Sequence, residues 1–212
     1  MKDADSIDIG TVTNLLQLCV DRASKVVPHL RVDLTCPTDE YSLGLLLAVI
    51  DYGRSVITLA NGKAYPAISI ITRSCIEAYV DLVNICDHPL YWQHLFAVDT
   101  AEWKAFYDAA KRGDNPSLTA FAEDSSVEEG RKLYARQSQA VDASKIQSLR
   151  VKQRFERAEM MHEYEAAYVL LCAVAHNNVS NLQSRYFFVD GERLGLRQGG
   201  NEYPRPLRYE LP

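Results

Sequence analysis

The chain has no CxxC pair among its five cysteines, no HExxH, and none of the glycine signatures GxxxxGK[ST], GxGxxG or GxSxG. Each absence removes a class of chemistry. Without paired cysteines or a histidine pair on one helix there is no zinc ribbon or zincin, and Asp87, His88 and His94 are spaced too loosely around Pro89 to replace one. Glu159 and His162 form a single Glu-x-x-His, half of a di-iron carboxylate set that needs a second copy. The missing glycine loops exclude nucleotide kinases, dinucleotide-binding dehydrogenases and serine esterases. No metal and no cofactor is therefore expected. A basic excess is absent too: 23 Lys and Arg against 28 Asp and Glu give a net charge of −5, which argues against nonspecific coating of phosphate and leaves room only for a local basic patch. No apolar run reads as the roughly 20 residues of a membrane span, and the opening residues carry no leader pattern. Cys19, Cys75 and Cys172 lie inside apolar helical runs, where reduced thiols pack as small hydrophobes, so a cytoplasmic protein without a membrane partner is expected.

What is present is helical periodicity. With 212 residues, 47% hydrophobic and 24% charged, the chain can bury one substantial core, and no linker divides it. Apolar spacing predicts a first helix over 8–30, capped by Thr11 or Thr13, and a second over 41–60 that is apolar nearly all round and should be covered on most sides. Asn61-Gly62 supplies a left-handed end for it. A third helix follows over 64–86, and a fourth, rich in aromatics, runs from His88-Pro89 to Gly113. Shorter, mostly solvated helices fill 115–142. Residues 145–182 form either one long helix or a broken pair, with the charged first half (Arg150, Lys152, Arg154, Glu156, Arg157, Glu159) read as surface. After residue 184 the pattern becomes extended, with Asp190-Gly191 between two such runs as a hairpin signal, and Pro204, Pro206 and Pro212 then predict an irregular tail. The expected architecture is all-α: a bundle of five to seven helices over 1–184 with a short C-terminal β-hairpin and tail over 185–212.

Two stretches carry residues that a core does not need. On the third helix Arg73, Glu77, Asp81 and Asn84 form a narrow polar strip bordered by Ile70 and Val80, and buried charges persist only when paired and hydrogen-bonded. On the late stretch 163–182, Tyr164, Ala167, Tyr168, Leu171, Val174 and Ala175 fall on one arc, while His176 sits at its margin and is followed by Asn177 and Asn178. Two covered helices that each present polar groups predict that Arg73, Glu77 and His176 meet, either as a reactive site with Tyr168, Asp81, Asn177 and Asn178 as binding groups, or as a structural network that fixes packing. Arg157 and His162 are a further Arg/His pair, but on a continuous helix they are roughly 500° apart and project to different sides.

Arg73-Ser-Cys-Ile-Glu77 followed by an aromatic helix and then by Tyr168-Val-Leu-Leu-Cys-Ala-Val-Ala-His176 resembles a group of uncharacterised bacterial helical proteins. Their pattern is Arg-Ser-x-x-Glu on an early helix and Tyr-x-x-Leu-x-x-x-x-His on a late one, and the likeness covers about 41–182. More distantly the group is similar to the HEPN superfamily of helical bundles, many of them metal-independent ribonucleases of toxin or phage-defence systems that act as dimers. HEPN enzymes place an Arg and a polar residue four to six positions before a His; here Arg157 is followed by Ala158, and His176 has no such Arg. The resemblance implies an HEPN-like endoribonuclease in a bacterial defence or stress system. His176 would be the general acid or base, Arg73 the phosphate ligand and Glu77 the group that orients Arg73, with RNA as substrate and a partner protein encoded nearby. The alternative is a noncatalytic helical interaction protein. The aromatic helix (Tyr91, Trp92, Phe96, Trp103, Phe106, Tyr107) carries more apolar surface than one neighbour covers, which with the resemblance predicts a homodimer.

Overall fold

The computed structural model describes residues 8–118, 121, 124–176, 182, 186–190, 193–198 and 201–206. The chain is an all-α bundle. Among the described residues its α-helices are α1 (Ile9–Val26), α2 (Pro37–Asn61), α3 (Tyr65–Asp87), α4 (Trp92–Arg112), α5 (Ser125–Ala143), α6 (Val151–Arg157), α7 (Met161–Glu163) and α8 (Val169–Ala175), with a π-helical turn, Tyr164–Tyr168, joining the last two. Asp8, rather than Thr11 or Thr13, caps α1: its carboxylate accepts the Thr11 backbone N–H at 3.1 Å, the third amide of the helix. Asp124 does the same for α5 through Ser126 N–H at 2.8 Å.

The helix ends depart from the glycine rule. Gly113 closes α4 in the left-handed region as expected (φ 71°), but the left-handed residue after α2 is Lys63 (φ 57°) and not the Asn61-Gly62 pair. The Lys63 and Ala64 amides fold back onto Ala60 and Leu59 carbonyls at 3.0 and 2.8 Å. Those two bonds satisfy the helix's last carbonyls and hold a lysine in a conformation that glycine adopts more readily. Lys145 closes α5 in the same way (φ 54°), and Glu159 (φ 56°) closes α6, with Met160 N–H on Phe155 O at 2.9 Å. Residues 145–182 are therefore a broken run, not one long helix.

The helices gather into two compact units, one of Met1–Lys25, Ile50–Ile76 and His162–Pro212, the other of Val26–Val49 and Glu77–Met161. In the first, Val20 of α1 lies against Gly53 of α2, where a Cβ would come within 2.7 Å of a Val20 methyl. Arg54 bonds Asp51 at 3.3 Å and the Ser24 hydroxyl at 3.0 Å. Only Ile50, Gly53 and Ile57 of α2 are buried, so this helix is covered along one stripe and not on most sides. By length and composition alone α2 is apolar enough to cross a membrane.

In the second unit the core is Ala78, Val80, Ile85, Tyr91, Ala97, Ala110, Val127, Phe155 and Ala158. Tyr134 of α5 stacks on Trp103 and Tyr107 of α4 at 6.1 and 5.5 Å between ring centroids. Gly130 of α5 sits under the Tyr107 ring, which a Cβ there would strike. Trp92 stacks on Tyr41 of α2 at 6.3 Å. The aromatic face of α4 thus finds part of its cover within its own chain, while Trp103 keeps 42% of its surface exposed.

The C-terminal segment does not form the isolated hairpin that its sequence pattern suggests. Strands β1 (Phe187–Asp190), β2 (Arg193–Gln198) and β3 (Asn201–Pro206) run antiparallel in that order, and the third is built from the tail expected to be irregular. As an edge strand β3 tolerates Pro204 and Pro206, which a central strand would not. Gly191, the expected turn residue, lies outside the described residues.

Candidate functional site

The polar strip of α3 divides between the units, and each half finds different partners. In the first unit, half-buried Arg73 donates from Nε to the Tyr168 hydroxyl at 3.3 Å, and its Nη1 stands 3.4 Å from His176 Nε2. The guanidinium also lies over the Tyr168 ring, 5.7 Å from the centroid. These residues come together from α3, from the end of the π turn and from the end of α8, 95 and 103 positions apart in sequence. Tyr168 is buried, and its ring stacks on Tyr164 at 5.6 Å, which fixes the hydroxyl's direction toward Arg73.

His176 is exposed and caps α8, with φ −89° and ψ 14°, in the bridge region that active-site residues often occupy. Its backbone N–H bonds Cys172 O at 2.9 Å, so the main chain is held while the ring projects. A guanidinium only donates. The Arg73 contact therefore fits an imidazole whose Nε2 carries the lone pair and whose proton is on Nδ1, the form that can accept a proton from a substrate. An arginine fork beside such a nitrogen can hold an oxyanion while the ring moves a proton next to it.

Of the other expected site residues, Glu77 is half-buried one turn beyond Arg73 on α3 and belongs to the second unit. Asn177 and Asn178 lie outside the described residues. Asp81 joins a separate buried network: its Oδ1 accepts the Tyr91 hydroxyl at 2.6 Å and its Oδ2 accepts Arg154 Nη1 at 3.1 Å. Arg154 also donates to Leu149 O at 3.2 Å, and Asn84 Nδ2 bonds Arg154 O at 2.9 Å and Val80 O at 3.0 Å. Burial pushes the Asp81 carboxyl above the usual carboxylate range against the pull of Arg154 and Tyr91, and burial followed by the Asp81 charge pushes the Tyr91 phenol well up. With Asp81, Asn84 and Tyr91 buried and bonded to one another or to Arg154, this second cluster has the form of a structural tie.

Five of the six charges over 150–159 are exposed, as expected of a surface face, and Arg154 is the exception, its side chain only 17% exposed. The signal was in the sequence: Val151, Arg154, Phe155 and Ala158 are spaced as an inward helical face, on which arginine is the one polar member. Arg157 lies over the Tyr91 ring at 5.7 Å, and His162 is exposed in the other unit. Among the described residues no cluster of three or more His, Cys, Asp or Glu side chains could hold a metal ion.

No curated protein and no solved structure matches the chain. Residues 39–193, which carry Arg73, Tyr168 and His176, match the model of a family of unknown function, DUF5677, and the chain belongs to that family.

Proposed function

We propose that the protein is a metal-independent endoribonuclease of HEPN-like type, with Arg73 and His176 as its catalytic residues and Tyr168 as the residue that positions Arg73. The observation that supports this reading is the 3.4 Å approach of Arg73 Nη1 to His176 Nε2. In the proposed step the exposed His176 ring turns off Arg73 Nη1, its freed Nε2 takes the proton from a ribose 2′-hydroxyl, and the oxygen attacks the adjacent phosphorus. The P–O5′ bond breaks, the 5′-oxygen leaves with a proton from water, and the His176 imidazolium returns its proton to the hydroxide so formed. The products are a 2′,3′-cyclic phosphate and a 5′-hydroxyl. Arg73 binds the non-bridging oxygens as their charge grows. The Tyr168 hydroxyl and ring hold the guanidinium in place, so its geometry is preset before substrate arrives.

A second reading, a noncatalytic helical interaction protein, is favoured by the half-burial of Arg73 and its bond to Tyr168, since both also describe a tie between helices. Incubation of a single-stranded RNA pool with the purified chain in EDTA separates the two. The ribonuclease reading expects cyclic-phosphate ends that vanish with His176→Ala while the melting temperature holds, and no cleavage of the 2′-deoxy analogue. An intact RNA pool, together with a lowered melting temperature for Arg73→Ala, would establish the interaction protein instead.

A further inference from the structure

We propose that the second unit holds a binding pocket for a small amphipathic carboxylate, an aliphatic acid of roughly eight to ten carbons. A cavity of about 360 Å³ opens between the connector ahead of α2, the first half of α2 and the second half of α3. Its apolar lining includes Leu43, Leu46 and Leu82, and Arg31 and Asp39 bring its charged groups. The volume lies in the range of small-molecule sites. At about 30 Å³ per water-sized group it holds roughly a dozen non-hydrogen atoms.

The charged groups decide the ligand. Asp39 already accepts the Asp33 backbone N–H at 3.0 Å and stands in the first turn of α2, where the helix dipole favours an anion. Asp33, close by in the connector, accepts the Thr35 amide at 2.9 Å and the Thr35 hydroxyl at 2.6 Å. Both carboxylates are thus engaged by backbone donors of their own chain. Arg31 is exposed and makes no hydrogen bond or ion pair with any described residue. Of the two charged residues that line the pocket, Arg31 is the one without a partner among the described residues, and its fork matches a planar carboxylate. An acid with an aliphatic tail satisfies both parts: its chain lies against the leucines and its head pairs with Arg31.

Isothermal titration of the full chain with octanoate, 1-octanol, octylamine and leucine tests the assignment. Octanoate should bind one site at least about tenfold more tightly than octanol, and Arg31→Gln, a change at an exposed residue, should abolish that margin. Cys86 also lines the pocket and is exposed, so octanoate should slow its alkylation by iodoacetamide as read by peptide mass. Cys19, exposed on α1 in the first unit, is the internal reference and should react at an unchanged rate. Equal affinity for octanoate and octanol, tighter binding of octylamine or leucine, full octanoate affinity in Arg31→Gln, or no saturable octanoate binding would each overturn the proposal.

Discussion

Tyr91 donates its phenolic hydrogen to Asp81 at 2.6 Å while Arg154 holds the other carboxylate oxygen at 3.1 Å, so one buried side chain on α3 joins the start of α4 to α6. Asn84, one turn along α3, bonds the Arg154 carbonyl and extends the tie to the main chain. Removing either partner leaves a desolvated group without its bond, and that loss exceeds the net worth of the bond itself.

Asp81→Ala should therefore cost about 3 kcal/mol, because it strands both Arg154 and the Tyr91 hydroxyl. Tyr91→Phe should cost about 1.5 kcal/mol, since it removes one charge-assisted bond and keeps the ring. Urea denaturation followed by circular dichroism gives both values; losses under about 0.5 kcal/mol, the range of an ordinary surface change, would show that the network does not hold the second unit.

Asp81 also sets a pH dependence with a definite sign. Its folded carboxyl is raised above the ordinary value of 3.8 by burial, so the folded state keeps the proton to higher pH than the unfolded chain does. Unfolding free energy then falls as pH rises from about the unfolded value through the folded one, and levels off above it. Asp81→Asn removes this slope. Thermal melts from pH 4 to 7.5 should show the variant gaining on the parent chain as pH rises; a variant that loses ground over that interval contradicts the raised carboxyl.

The left-handed Lys63, Lys145 and Glu159 are three sites where glycine would relieve backbone strain. An L-residue there costs roughly 1–2 kcal/mol, partly offset by the greater freedom glycine has when unfolded. Lys63→Gly and Glu159→Gly should each raise stability by about 0.5–1 kcal/mol, a rise of roughly 1–4 °C in melting temperature. Lowered melting temperatures in both would mean that the side chains contribute more than the backbone strain removes.

Glycines inside helices predict opposite signs at two places in α2. A Cβ at Gly44 meets nothing within 4 Å, so Gly44→Ala should stabilise by about 1 kcal/mol through helix propensity alone. Gly53→Ala should destabilise by about 1–3 kcal/mol despite the same propensity gain, because the new methyl collides with buried Val20. Melting both variants side by side checks the pair, and a stabilised Gly53→Ala would show that α1 packs on α2 more loosely than described.

Helical periodicity made the all-α architecture legible, since stripes such as Ile68, Ile71, Cys75 and Tyr79 report a 3.6-residue repeat whatever packs against them. The α3 strip was legible as a place needing partners, because charge on a covered helix has a cost that can be read locally. Which partners it found was not. Arg154 lies among five other charges, and only the inward spacing it shares with Phe155 distinguishes it from solvated neighbours. Lys63 and Glu159 were invisible for a different reason: backbone hydrogen bonds hold them left-handed, and no side-chain preference announces that.

The π turn at Tyr164–Tyr168 has a consequence for the spacing of the chain. A π turn holds one residue more than an α turn, and such turns recur at functional sites. Close the wide loop to the ordinary pitch without removing a residue and every later side chain turns by about 100°, one residue's rotation, against those before it. Tyr168 and His176 would then swing off Arg73 together, although neither has been touched. The alignment of these three side chains thus depends on the turn staying wide, and a chain with one residue fewer here keeps the same alignment on an ordinary helix, so a one-residue gap in this turn is compatible with the site.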